Sequence, residues 1–238
     1  MANTWFQFKQ FTVHHHLSAM KVGTDGVLLG AWADGANASM ILDVGTGSGL
    51  LALMMAQRFP NAHIHAIDIV EDAVLQAREN ALLSPWAHRI DVHHQSLQQY
   101  ATHGKCLFDV VVCNPPYFTN SLPSPDQHRT TARHNLDLSF DELTHGISSV
   151  LKPDGRFCVI IPCDQQQAMI NAMAEAQFYA VKMLWVHPLP QRPPKRVLME
   201  FKREKSDCII EALTIETGLR HHYSDEYKAL TCDFYMKF

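Results

Sequence analysis

Short apolar runs rich in β-branched residues alternate with longer stretches of helical period along most of the chain. Met40 to Val44, His63 to Ile69, Arg89 to His94, Phe108 to Cys113, Gly155 to Ile161, Ala180 to His187 and Arg196 to Lys202 predict strands. Leu50 to Arg58, Glu71 to Leu83, Phe140 to Val150 and Gln165 to Ala176 predict helices between them. Ser139, three residues before Glu142, reads as a capping box that opens the third helix. This alternation predicts an α/β fold with a largely parallel sheet of seven strands. Only the proline-rich stretch Pro188 to Pro194 separates the last two strands, and it has no room for a helix. Those two strands are therefore expected to pair antiparallel, as a final hairpin.

The flanking segments are harder to read. Residues 1–38 form a lead-in with four aromatics (Trp5, Phe6, Phe8, Phe11), the run His14 to His16, and Met20-Lys21-Val22-Gly23-Thr24-Asp25-Gly26. Thr24 or Asp25 is placed to cap a helix over the apolar run Val27 to Trp32. Residues 204–238 form an extension in which Cys208 to Glu216 is expected to be extended. No repeat or low-complexity linker interrupts the chain. The expected organisation is one domain over residues 1–238, with residues 39–203 as its core.

Composition narrows the class. Apolar residues make up 47% of the chain and charged residues 18%, enough for a sizeable core. Apolar runs such as Val110 to Cys113 are far too short to span a bilayer. The N-terminus lacks a basic-then-apolar signal pattern, so no membrane partner and a cytoplasmic location are expected. The six cysteines include no C-x-x-C pair, which argues against structural zinc. Cys113 and Cys158 read as buried small hydrophobes. No role is assigned to His14 to His16, and no metal is expected. A net charge of −4 opposes indiscriminate nucleic-acid binding but permits a local basic face.

Leu42-Asp43-Val44-Gly45-Thr46-Gly47-Ser48-Gly49-Leu50 reads as strand, glycine turn and helix. Glycines at such a turn let backbone approach a ligand closely, at the carboxyl end of the sheet. A dinucleotide fingerprint would need Gly or Ala where Leu50 stands. The D-x-G-x-G-x-G pattern instead resembles the first motif of S-adenosylmethionine methyltransferases. A second acid, Asp68, follows Gly45 by 23 residues, at the end of the next strand. Its carboxylate can accept two bonds from a ribose diol. Asp43 is expected to meet the methionine amino group, directly or through water. Ile69, Ser96 and Leu97 are expected to border the adenine.

Asn114-Pro115-Pro116-Tyr117 ends the buried strand Phe108 to Cys113 with a rigid corner, since two prolines fix φ and donate no hydrogen bond. An amine conjugated to a ring is a poor nucleophile. Two acceptors on its two N–H groups can draw the nitrogen toward a tetrahedral shape and free the lone pair. The Asn114 side-chain oxygen and the Pro115 carbonyl are the natural pair, with Asn114 also bordering the cofactor. Tyr117 is expected to stack on the flat substrate, with Pro116 and Phe118 beside it. By itself the motif says only that the substrate presents a planar nitrogen.

Taken together, the chain resembles the bacterial valine-tRNA adenine-N6 methyltransferases. The resemblance rests on Phe6 to Phe11, Met20 to Trp32, Leu42 to Gly49, Asn114 to Phe118 and Leu151 to Phe157, and covers nearly the whole chain. Met20 to Trp32 is the most family-specific of these. The resemblance implies a Rossmann-like methyltransferase fold, S-adenosylmethionine as cofactor, tRNA as partner, and transfer to N6 of adenine 37. It further implies that Lys21, Thr24 and Asp25 close over the cofactor. RNA contact needs cations, for which His128, Arg129, Arg133, Arg192, Lys195 and Arg196 are candidates. Lys202, Arg203 and Lys205 read equally as a solvated edge. The competing reading from the same motif is methylation of a protein glutamine amide. Those enzymes usually carry a helical N-terminal domain, for which residues 1–38 are too few.

Overall fold

The computed structural model describes residues 3–18, 21–103, 107–115, 139–219 and 221–238. The strands are β1 (Trp5–Gln7), β2 (Thr12–His14), β3 (Met40–Val44), β4 (His63–Asp68), β5 (Ile90–His94), β6 (Phe108–Cys113), β7 (Leu151–Pro162), β8 (Tyr179–His187), β9 (Arg196–Lys202) and β10 (Ile209–Thr214). The helices are α1 (Thr24–Trp32), α2 (Leu50–Arg58), α3 (Glu71–Leu82), α4 (Leu97–His103), α5 (Phe140–Val150), α6 (Gln166–Glu175) and α7 (Asp225–Thr231). The predicted strands and helices are all present, with ends displaced by a few residues at most.

The main sheet runs β10-β8-β9-β7-β6-β3-β4-β5. Strands β5, β4, β3, β6 and β7 are mutually parallel, and β9 lies antiparallel between β7 and β8. The expected antiparallel hairpin is therefore formed, with its second strand inserted next to β7. The extended tail segment is not a separate element. It joins the sheet as an eighth strand, parallel to β8. β7 also begins at Leu151, earlier than expected, because a register shift between Phe108 and Val110 absorbs the residues around Pro153. There Lys152 Nζ reaches Asp109 Oδ1 at 2.6 Å.

The central strands are apolar on both faces because helices cover both. Val110, Val112, Cys158 and Ile160 pack into the side formed with α1, α2 and the aromatics of the lead-in. Their neighbours Val111, Cys113, Phe157, Val159 and Ile161 pack into the side formed with α5 and α6. Cys113 and Cys158 are buried there as expected. The lead-in and the C-terminal extension are joined through Phe8, which stacks on Phe11 at 4.7 Å and meets Phe234 edge-on. Lys9 Nζ adds bonds to the carbonyls of Cys232 and Phe238. Among the described residues no helix is long and apolar enough to cross a membrane.

The Ser139 capping box is formed in both directions, with Ser139 Oγ accepting from Glu142 N and the Glu142 carboxylate accepting from Ser139 N. Ser139→Ala is expected to cost about 1 kcal/mol and to lower the melting temperature by about 2–4 °C. Calorimetry checks this, and an unchanged melting temperature would remove the box from the fold's stability.

Candidate active site

Register assembles the site. Val44 at the end of β3 pairs with Ile67 of β4 on one side and Cys113 of β6 on the other. One residue further along the three strands stand Asp68, Gly45 and Asn114, side by side at the carboxyl end of the sheet.

The chain turns sharply after Val44. Gly45, Gly47 and Gly49 have φ of 70°, 56° and 83°, the left-handed region that favours glycine. Gly45 and Thr46 N donate to the Ile67 carbonyl at 2.9 and 3.0 Å. Gly47 N donates to Asp68 Oδ2 at 2.9 Å. A Cβ built on Gly45 or Gly47 meets nothing within 4 Å, so the turn leaves an open cradle on its outer side.

The two acids differ in environment. Asp68 accepts from Val70 N on Oδ1 and Gly47 N on Oδ2, is partly exposed, and keeps free lone pairs on both oxygens. Ile69, next along, is 41% exposed, an apolar rim beside that carboxylate. Asp43 is wholly buried. Its Oδ2 accepts from Thr46 Oγ1 at 2.6 Å and Ala52 N at 3.1 Å, while Oδ1 is buried without a partner. Burial pushes the carboxyl up to about 7, opposed by those two bonds and reinforced by the Asp68 charge. A buried acceptor with nothing to accept, beneath an open glycine cradle, fits a cationic group. These residues thus suit a ligand carrying both an ammonium and a ribose diol. Burial also pushes the neighbouring Cys113 thiol up, which removes it as a nucleophile.

Asn114 is half-buried and Pro115 is buried. Helix α1 comes close to this corner. A Cβ on Gly26 would lie 2.9 Å from Leu50 Cδ2, the tip of a flexible side chain, and at an ordinary contact distance of 3.9 Å from Asn114 Nδ2, so α1 packs directly against both. The cap of α1 is Gly23, without a side-chain bond, so neither Thr24 nor Asp25 caps it. Thr24 is exposed, and Asp25 in the first turn accepts from Arg196 Nε at 2.9 Å. Arg196 opens β9 opposite Pro162, at the same end of the sheet. That ion pair ties α1 to the start of β9, beside the site. Lys21, Arg192 and Lys195 are exposed.

Several other expected residues have different surroundings. Ser96 and Gln99 form a capping pair that opens α4. Leu97 is buried, and a Cβ on Gly146 of α5 would collide with it. Its side chain packs in the core between α4 and α5. Arg203 is no solvated edge. It bonds the Ser148 and Ala176 carbonyls and lies 4.3 Å from the centre of the Phe178 ring. Lys202 pairs with Glu200 at 3.4 Å. Pro116, Tyr117, Phe118, His128, Arg129 and Arg133 lie outside the described residues.

Asn80 and Gln76 of α3 were not anticipated. Both are buried, and both tie the lead-in to the site. Asn80 Nδ2 donates to the carbonyls of Ser48, in the glycine turn, and of His14, while its Oδ1 accepts from His14 N. Gln76 Oε1 accepts from Leu17 N at 3.0 Å. Their signal is two amides on the buried stripe of a helix otherwise lined by Ala73, Ala77 and Ala81.

Residues 36–225 match the family model described as a methyltransferase domain. A relative from Phocaeicola vulgatus, named tRNA1(Val) (adenine(37)-N6)-methyltransferase, is 50% identical over 236 residues, 99% of this chain and 99% of its own. One of the same name from Klebsiella pneumoniae is 40% identical, over 97% of this chain and 94% of its own. Among solved structures, a predicted O-methyltransferase from Agrobacterium tumefaciens is similar with a TM-score of 0.70 and 20% identity. It covers 88% of this chain and 96% of its own, and speaks for the fold alone.

The Asp43 proton sets a dependence of stability on pH. The folded chain holds it to about pH 7, whereas the unfolded chain releases it near 3.8. The folded state binds the extra proton between those values, so this group's contribution falls as pH rises through that window and is fully lost above it. His65, held down to about 4 by burial and by His93 and His63, works in the opposite direction below its ordinary value of 6.5. The informative quantity is therefore the difference between wild type and Asp43→Asn. Denaturant unfolding of the ligand-free protein at pH 5 and pH 8 is expected to show the variant gaining stability relative to wild type at the higher pH. Between pH 5 and about 7 that relative gain corresponds to about 3 kcal/mol. A difference independent of pH would contradict the assignment.

Proposed function

The chain belongs to the tRNA1(Val) (adenine(37)-N6)-methyltransferase family, and on that premise we propose that it methylates N6 of adenine 37 in a valine tRNA, in the cytoplasm, with S-adenosylmethionine as donor. The observation that carries this reading is the alignment of Asp68, the glycine turn and Asn114-Pro115 across three adjacent strand ends. The alternative, a protein glutamine amide, draws no support from the relatives, which bear the tRNA name over nearly their whole length.

When bound, S-adenosylmethionine supplies an electrophilic methyl group on a sulfonium. Asp43 Oδ1, unpartnered and buried, is the acceptor for its ammonium. Asp68 holds the ribose diol and Ile69 packs on the adenine, while the glycine cradle gives close approach. On the substrate side, the Asn114 side-chain oxygen and the Pro115 carbonyl each accept one N–H of the target amine. Those two bonds localise the nitrogen lone pair along the line of attack, so most of the rate comes from position and fixed dipoles. The methyl group would pass to the target nitrogen with the S–C electron pair retained on sulfur, and the amine proton held by the Asn114 oxygen or the Pro115 carbonyl would leave after transfer. From the sequence alone, Tyr117 and Phe118 are the aromatics proposed to stack on the extruded base. Arg192 and Lys195, exposed in the loop between β8 and β9, are the cations proposed to contact phosphate, and the sequence offers Arg129 and Arg133 for the same role. Lys21, Thr24 and Asp25 close over the methionine end, held there by the Asp25–Arg196 pair.

Incubation with labelled S-adenosylmethionine and total tRNA from a strain lacking the gene, followed by nucleoside analysis, is expected to yield N6-methyladenosine. Label recovered only in protein would overturn the reading. Asn114→Ala is expected to lower turnover by about a hundredfold or more while cofactor binding by calorimetry survives. Lost cofactor binding would show the motif to be misplaced.

A further inference from the structure

His63 and His65 occupy alternate positions on β4, so their side chains leave the same face of the sheet. Asp91 on the neighbouring edge strand is the register partner of His65 and shares that face. One donor atom from each of the three lies within 4.8 Å of the others, and His63 Nε2 stands 2.8 Å from Asp91 Oδ2. Two further groups frame the cluster. The Tyr100 hydroxyl of α4 bonds His65 Nδ1 at 2.7 Å, and the His93 ring stacks on His65 with centroids 5.5 Å apart. His93 Nε2 is buried without a hydrogen-bond partner. A buried imidazole nitrogen left unsatisfied beside three converging donors is an arrangement that hydrogen bonding alone does not account for.

We propose that His63, His65 and Asp91 bind a borderline divalent cation of the zinc type, in a site separate from the methyl-transfer centre. Two imidazoles and one carboxylate suit zinc, cobalt or nickel over magnesium or calcium, which favour all-oxygen sites. Donors on a tetrahedral ion with bonds of about 2.1 Å stand about 3.4 Å apart. Reaching that spacing takes only side-chain adjustment, since His63 and Asp91 have side chains 38% and 56% exposed. Tyr100 orients the His65 ring from outside the ligand set, as outer partners of metal-bound histidines commonly do. With His63 and Asp91 partly exposed, water would complete the coordination shell.

The site lies toward the amino end of β4. At about 3.3 Å per residue, His65 and His63 are about 10 and 16 Å from Asp68 along the strand. The ion therefore contributes no electrophile to methyl transfer. It clips β4 to the edge strand β5, in the same strand pair that ends at Asp68 and His94. The run His14 to His16 is a poorer candidate. Successive residues there alternate in direction, His15 is buried on the Asn3 carbonyl, and the His14 and His16 rings are 6.4 Å apart.

The test is zinc titration of the chelator-treated full-length protein by calorimetry, with thermal unfolding in parallel. Wild type is expected to bind about one equivalent and to melt about 5 °C higher at a hundredfold excess over Kd. The double variant His63→Gln/Asp91→Asn is expected to lose that equivalent and the shift, while its melting temperature in chelator stays that of wild type. Should the double variant fail to fold, Asp91→Asn alone is expected to weaken zinc binding at least about tenfold. Cobalt gives a second readout, a visible absorption band present in wild type and absent from the variant. The proposal is overturned if wild type binds no zinc, if the variant binds as wild type does, or if binding disappears instead with His14→Gln/His16→Gln.

Discussion

Parallel pairing of β4, β3 and β6 is the constraint on which the site depends. Residues facing each other across a parallel sheet stay in step, so the ends of three strands become one row. Val44 pairs with Ile67 and Cys113, and the next residues are Gly45, Asp68 and Asn114. A shift of one residue in either ladder would turn Asp68 or Asn114 to the opposite face. The register is held by apolar residues on both faces of each strand, far more tightly than any polar contact at the site could hold it.

A second layer of order comes from the lead-in. It crosses α3, where Gln76 and Asn80 receive its backbone, and then delivers α1 against Asn114 and Leu50. Asn80 also bonds the Ser48 carbonyl, so the strap and the glycine turn share one buried amide. Asp25 and Arg196 close the other end. The lead-in is thereby coupled to the glycine turn. Gly26 lets α1 pack closely on Leu50, since a side chain there would have to displace the Leu50 tip.

The charges of the molecule are arranged by burial more than by number. Asp109, where burial is outweighed by bonds from Lys152, Met40 and Ser39, is held down at about 2 and stays ionised. Asp43, wholly buried and with fewer donors, is raised to about 7. The same logic applies to the basic residues. Arg196 and Arg203 read on paper like Arg192 and Lys195, yet the first two are committed to internal partners.

The amino-acid pattern alone determined the α/β class, the order of the core strands, the glycine turn, the capping box and the corner after β6. Each of these is local, written in a period of two or 3.6 residues or in a short motif whose backbone has few alternatives. The family was legible too, because Met20 to Trp32 and the motif residues stand in unbroken segments. The tertiary structure decided what depends on distant neighbours. It turned Leu97 into the core, because that first apolar residue of α4 meets Gly146 of α5. It made the tail an eighth strand, because the edge of β8 was open. It gave Arg196 to Asp25 across 171 residues of sequence separation, and Asn80 to a strap 66 residues away. It also gathered His63, His65 and Asp91, since a pairing between strands leaves no spacing in the sequence to find.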